Sequence, residues 1–370
     1  MKYYIIAGEA SGDLHGSNLI KAICDQDKNA EIRAWGGDEM EKAGANLVKH
    51  YKDLSFMGFY EVLINIKSIL KNLSFCKVDI KQFNPDKIIF IDYPGFNMRI
   101  AKWAKRNRFN TYYYIAPQIW AWNENRIKDI KSSVDKMYVI LPFEKKYFKN
   151  KHNYLVQYLG HPLMDSIRDF KKNYKNNFFE SNNLNHNKEI IAILPGSRKQ
   201  EIKKILSTML EVVEYFPKYQ FVIGAAPNVD DFFLKKIIKN KKIKFIKNQT
   251  YSLLSNSKAA LVTSGTATLE TSIFKVPMVV CYKTSFLSYL LAKFFVKIKF
   301  ISLVNLIMEK EIIKELIQEN CIKQNIVREL KNILNPKKID KLDTEYDKLI
   351  NLLGAHGTSY RIANDILTKN

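Results

Sequence analysis

The chain has 370 residues, with 59 Lys and Arg against 37 Asp and Glu, a formal net charge of +22. A hydrophobic content of 46% with 26% charged residues excludes a disordered chain, and the length favours two domains over a single core. The charge calls for an anionic partner (nucleic acid, a phospholipid surface or a phosphorylated substrate) or else reflects a Lys-biased composition, and with only nine Arg it disfavours base readout.

The first half alternates short apolar runs with amphipathic segments. Strands are expected over residues 3–7, 32–35, 87–91, 111–115 and 136–141, with a helical pattern over 14–24. This is the pattern of a parallel α/β sheet. A polar, Asn- and Lys-rich stretch at 170–188 is the expected linker. The alternation then restarts with strands at 190–194, 220–224, 243–246, 259–262 and 278–282 and a helix over 200–215. From about residue 312 the chain reads as helical. The expected domains are 1–168 and 169–339, with a last helix over about 340–370 returning to the first. Cys24, Cys76, Cys281 and Cys321 have no paired spacing, which suits a reducing compartment and supplies no metal signature. No signal peptide and no uncharged apolar run of 18 residues is visible.

Several strand ends carry candidate chemistry. In AGEASGD, residues 7–13, a strand meets Gly8, Glu9, Ser11, Gly12 and Asp13 at a helix start, where free N–H groups suit an anion; a plain strand–helix turn is the alternative. In LPGSR, residues 194–198, Ser197 is placed to cap the next helix and Arg198 to clamp a diphosphate beside it; a capped turn with Arg198 in solvent is the alternative. In TSGTATLE, residues 263–270, Ser264, Gly265 and Thr266 offer donors to phosphate oxygens, and Glu270 offers an acceptor to ribose hydroxyls. Two such loops in one half suit a nucleotide diphosphate, since ligands sit at the carboxyl edge of an open α/β sheet. Asp92, in IDYPGFN, lies just past a strand as either a general base or a turn cap. Trp120 and Trp122, in IAPQIWAWNENR, either line a sugar or acyl site or pack the sheet edge. Two apolar stretches are mixed with Lys. One holds Phe56, Met57 and Phe59; the other, 286–300, holds Phe286, Phe294 and Phe295. That composition fits an anionic membrane interface or an amphipathic core helix.

Taken together, AGEASGD, MGFYEVL, IDYPGFN, APQIWAW, LPFE, GHP, LPGSR, SGTATLE and SLVNL, in this order from residue 8 to about 316, resemble the lipid-A-disaccharide synthase family. The resemblance implies a glycosyltransferase B-type fold, two Rossmann-like domains facing a central cleft. It implies transfer of 2,3-diacylglucosamine from UDP to the 6-hydroxyl of 2,3-diacylglucosamine 1-phosphate (lipid X), with inversion and with neither metal nor cofactor. Asp92 would then be the base or acceptor-positioning group, and Arg198 would steady the departing diphosphate. Ser197, Ser264, Gly265, Thr266, Glu270 and Asn305 would hold the UDP-sugar, with Glu9 and Asp13 shaping the cleft. The chain departs from the family at Val304, commonly Pro, and at Gly95, often acidic. Asp25-Gln26-Asp27 has metal-site spacing but reads as a solvated turn. The expected partners are the two lipid substrates and the cytoplasmic face of the inner membrane, with a homodimer possible. Another UDP-sugar transferase or an epimerase of the same fold is the alternative. A nucleic-acid-binding protein fits only the charge, since no recognition motif accompanies it.

Overall fold

Each apolar run read from the sequence forms a strand of one of two all-parallel sheets. The computed structural model describes residues 1–54, 66–239, 243–284 and 299–368. The chain divides into two compact units, Met1–Asp165 with Leu353–Asn370, and Ser166–Leu352.

The first unit holds β1 (Lys2–Ala7), β2 (Glu31–Gly36), β3 (Asn46–His50), β4 (Lys87–Ile91), β5 (Asn110–Tyr114), β6 (Lys136–Val139) and β7 (Gln157–Tyr158). Their order is β3-β2-β1-β4-β5-β6-β7. The central strands are buried on both faces, which is why they read as unbroken apolar runs. In β1, Tyr4 and Ile6 pack on one side with Trp35, Ile88 and Phe90. Tyr3, Ile5 and Ala7 face the other side, where Ile362, Ala363 and Ile366 of the last helix, Thr358–Leu367, complete the layer. Lys87 donates to the carbonyl of Ile366, and Lys136 pairs with Asp365 at 2.9 Å. Asp165 accepts from the N–H groups of Gly357, Thr358 and Ser359 and so caps that helix.

The second unit holds β8 (Ile190–Leu194), β9 (Gln220–Ala225), β10 (Lys244–Lys247), β11 (Ser257–Val262), β12 (Met278–Tyr282) and β13 (Lys314–Ile317), in the order β10-β9-β8-β11-β12-β13. Three details differ from the sequence reading. The 170–188 stretch is not a bare linker, because the end of helix Leu163–Asn173 and the short helix Phe178–Ser181 fall within it and Phe178 is buried. The segment after residue 312 begins with strand β13 before helices Lys323–Ile333 and Pro336–Leu353. The chain rejoins the first unit at Leu353 rather than near 340, since Leu342, Tyr346 and Leu349 are buried and the Tyr346 hydroxyl donates to the carbonyl of Val276. Among the described residues no helix is long and apolar enough to cross a membrane. Phe56, Met57, Phe59, Phe286, Phe294 and Phe295 lie outside the described residues.

Candidate functional site

Each sheet has one place where strand order reverses, between β1 and β4 in the first unit and between β8 and β11 in the second. Crevices at such points, beyond the carboxyl ends of the strands, are where open α/β sheets take their ligands.

In the first unit the two loops at this point touch. A Cβ added at Gly8, after β1, would lie 2.3 Å from the ring of Tyr93, after β4. Glycine therefore lets the Tyr93 ring rest on the backbone. The helix after Gly8 starts earlier than expected, at Ala10, with Glu9 at its N-cap and Ser11 exposed in its first turn. Gly12 packs that helix against β1, its would-be Cβ 3.1 Å from that of Ala7. Asp13 is buried, and its carboxylate accepts from the N–H groups of Gly37, Glu39 and Met40 at 2.8, 3.2 and 3.0 Å. It fixes the turn after β2.

Asp92 and Tyr93 both have left-handed backbones, with φ of 47° and 49°. Two such residues in succession cost of order 1–3 kcal/mol each and persist only where the surroundings enforce them. The enforcement is visible. The N–H of Asp92 donates to Tyr114 at 3.1 Å, and its carbonyl accepts from Asn97 at 2.8 Å and the Tyr113 hydroxyl at 2.7 Å. Ile115, just past β5, is also left-handed at φ 60°, an outlier for a β-branched residue. The strained residues thus cluster at the ends of two hydrogen-bonded neighbours, where Ile91 pairs with Tyr114. Burial pushes the Asp92 carboxyl above the usual carboxylate range, opposed only by the Tyr93 N–H. A half-buried carboxylate with a raised pKa is a stronger proton acceptor than a solvated one.

Three other first-unit motifs prove structural. Glu144 of LPFE is buried and accepts from the N–H groups of Ile140 and Leu141 and from the indole of Trp120 at 3.0 Å; burial raises it to about 7. This joins LPFE to APQIWAW. Trp122, by contrast, is exposed, with the Arg126 guanidinium over its ring at 5.4 Å. In GHP, His161 is buried near His15; burial pushes these imidazoles down to about 3 and about 4, and both stay neutral. Asp27 of the metal-spaced pair holds the N-terminal amine at 2.8 Å and the Tyr3 hydroxyl at 3.0 Å.

In the second unit, the 195–198 and 263–266 loops lie side by side, because Val262 pairs with Leu194 and the Thr263 N–H donates to the Leu194 carbonyl at 2.8 Å. Gly196, at φ 92°, has Thr263 as its nearest neighbour, and the buried Thr263 hydroxyl has no hydrogen-bond partner. Helices Lys199–Leu210 and Thr266–Ile273 start at these loops, so two positive dipole ends open on the same sheet edge. Gly265, at φ 143°, has nothing within 4 Å of its would-be Cβ, and Thr266 is exposed. Ser264 is committed locally, donating to the Ile301 carbonyl at 2.7 Å. Arg198 reaches into solvent, its side chain 69% exposed, with Glu201 at 3.2 Å.

Two expectations are corrected here. Ser197 does not cap its helix; Arg198 is the N-cap residue, without a side-chain cap, and Ser197 is exposed, its carbonyl accepting from Asn228. Asn305 is engaged within its own loop. It is fully buried, donates to the Ile313 carbonyl and Glu315, and accepts from the N–H groups of Ile312 and Ile313, which uses its whole amide. Glu270 is half-buried and accepts from the Tyr251 hydroxyl at 3.3 Å; burial pushes it up to about 7. Tyr251, packed on Phe274 and Phe170, was not legible as a partner, because nothing in its local pattern marks it.

The family model for lipid-A-disaccharide synthetase matches residues 3–363. The chain belongs to the lipid-A-disaccharide synthase family. A lipid-A-disaccharide synthase of Syntrophus aciditrophicus is 34% identical, covering 98% of this chain and 96% of that protein. One from Coxiella burnetii is 36% identical over 90% of this chain and 88% of its own. Among solved structures, a UDP-GlcNAc 2-epimerase of Neisseria meningitidis superposes with a TM-score of 0.72 at 15% identity, all of both chains being covered. The calicheamicin glycosyltransferase CalG4 superposes with 0.60 at 11%, covering 98% of this chain and 97% of that one. At such identities the likeness shows the fold alone, which is the glycosyltransferase B type. As a member of the synthase family the chain is a hexosyltransferase, and its Asp92, Arg198 and SGTATLE motifs stand at the two switch points of that fold.

Proposed function

We propose that this synthase-family chain condenses UDP-2,3-diacylglucosamine with 2,3-diacylglucosamine 1-phosphate, releasing UDP and a β-1,6-linked disaccharide 1-phosphate. The full-length family match carries the reading, and the armed switch points support it. Asp92 removes the proton from the acceptor 6-hydroxyl as that oxygen attacks the donor's anomeric carbon. The bond from that carbon to the β-phosphate oxygen breaks on the opposite face, so the configuration inverts and UDP leaves with the electron pair. Arg198, together with the N–H groups opening at 196–198 and 264–266, meets the negative charge that builds on the diphosphate. No metal is needed for that role in this scheme. Ser264, Gly265 and Thr266 surround the diphosphate by backbone, and Glu270 accepts from the ribose hydroxyls.

The net charge of +22 supports peripheral association with the anionic cytoplasmic face of the inner membrane, where both lipid substrates reside. The epimerase alternative gains nothing, since the epimerase resembles this chain at 15% identity and the synthases at 34–36%. The purified protein, given both lipids in detergent micelles, is expected to release UDP stoichiometrically with disaccharide. Absence of UDP release above a protein-free blank overturns the reading.

A further inference from the structure

A cavity of about 340 Å³ opens beside the Asp92 loop, between the start of helix Pro94–Arg106 and the segment Glu124–Ser133. Gly95, Arg99, Lys102, Asn123, Arg126 and Asp129 line it. Its charges are unequally matched. Lys102 is neutralised by Asp129 at 2.7 Å. Arg99 and Arg126 have no carboxylate partner among the described residues. Arg99 donates to the Gly95 carbonyl at 2.7 Å, and Arg126 rests on the Trp122 ring. Two guanidiniums therefore face one cavity with most of their donors unspent, a combination suited to a phosphate monoester taken by paired N–H bonds. Nothing lies within 4 Å of the Cβ position at Gly95, so the backbone leaves the mouth open where a side chain would narrow it.

The place in the fold adds a constraint. Pro94 and Gly95, which line the cavity, follow Asp92 and Tyr93 directly, so the cavity adjoins the Asp92 loop. Resting on the reaction proposed above, the acceptor presents its hydroxyl and its anomeric phosphate on one sugar ring. Its phosphate must then lie one ring away from the base. We propose that this cavity is the acceptor's phosphate subsite, with Arg99 and Arg126 as its specificity-determining residues. They select a phosphorylated monosaccharide over a neutral one and hold its hydroxyl towards Asp92. A phospholipid headgroup is the other source of the same chemistry, and the test separates the two.

The test compares the unaltered protein with an Arg99→Gln/Arg126→Gln variant on two acceptors, 2,3-diacylglucosamine 1-phosphate and its dephosphorylated form. Both arginines reach solvent and sit outside the core, so the melting temperature should hold and is checked first. The expected result is a rise of at least about 30-fold in KM for the phosphorylated acceptor, the size of one lost charge-assisted contact, since two guanidiniums are removed. The KM for donor and the turnover of the neutral acceptor stay unchanged. Equal losses on both acceptors together with weaker binding to anionic vesicles would assign the cavity to phospholipid and overturn the proposal; so would unchanged kinetics on both. Calorimetry with glucosamine 1-phosphate against glucosamine reads the site without turnover. Arginine-dependent binding of the phosphate alone, in a protein that releases no UDP, would sink the proposed reaction and leave the anion subsite standing. No binding and no turnover would sink both.

Discussion

The ends of β4 and β8 each flank the switch point of their own sheet, from opposite sides of it, yet they are built in opposite ways. Asp92 stands on a strained, left-handed turn that three neighbouring groups hold in place, and burial has raised its pKa. Arg198 stands on an exposed turn beside Glu201, with no interior contact of its own. A base has to be desolvated and aimed before the substrate arrives, because its pKa is its reactivity. A cation awaiting a diphosphate gains by staying solvated and mobile until the ligand supplies its partner. On the proposed reaction, the difference between the two loops follows from the difference between these tasks.

The largest effect should come from Asp92→Asn. Asn tolerates the left-handed backbone and leaves the carbonyl contacts intact, so only the proton acceptor is lost. A fall of about 10³ in kcat is expected with an unchanged melting temperature. A melting temperature lowered by more than about 5 °C would mean the carboxylate serves the fold, and the contrast would collapse. Arg198→Ala should cost about 10² in kcat with no loss of stability, and Arg198→Lys should recover only part, since an ammonium cannot fork. Full activity of the Lys variant would reduce Arg198 to a point charge.

Glu270 sharpens the comparison through pH. Its carboxyl is held at about 7 by burial, and ribose hydroxyls would bond best to its ionised form. Ligand binding should therefore expel a proton and tighten as pH rises from 6 to 8, by about tenfold. Titration calorimetry of UDP in buffers of different ionisation heat reads both quantities. A flat profile, or the same slope in Glu270→Gln, removes Glu270 from the site. The smallest effect on turnover should come from Asn305→Ala, which would leave the N–H groups of Ile312 and Ile313 and the Glu315 carboxylate short of partners. A stability loss of about 2–3 kcal/mol is expected in urea unfolding, with kcat within about twofold below the transition. A large KM change for donor would restore Asn305 to the ligand.

The parts of this arrangement that were readable from sequence are those whose cause is local. Strands β1, β4, β8 and β12 are buried on nearly their whole length and announce themselves as apolar runs. Strands β3, β7 and β13 are NLVKH, QY and KELI, sheet-edge or near-edge segments whose half-exposed, mixed composition resembles any loop. At the site, the small residues at strand ends pointed to the switch-point loops. Motif position alone could not separate a side chain that faces the crevice from one that braces it. Asn305 and Asp13 look like ligand groups in sequence, and only the structure shows that each also braces its own loop through several hydrogen bonds. Ser197 failed as a cap because the helix begins one residue later than a cap at that position requires.

The segment from Leu353 onward has one more consequence. The first unit is assembled from two stretches of chain separated by the whole of the second, and Asp165 and His161, at the exit, grip Leu353 and residues 357–359, at the return. During synthesis the first sheet emerges with one flank bare, and Ile362, Ala363 and Ile366 reach it only after the second unit has been made. A stop codon after residue 352 would therefore spare the unit just completed and injure the one that started the chain. The ribosome has to finish the last turn of helix before the residues around Asp92 acquire their full support.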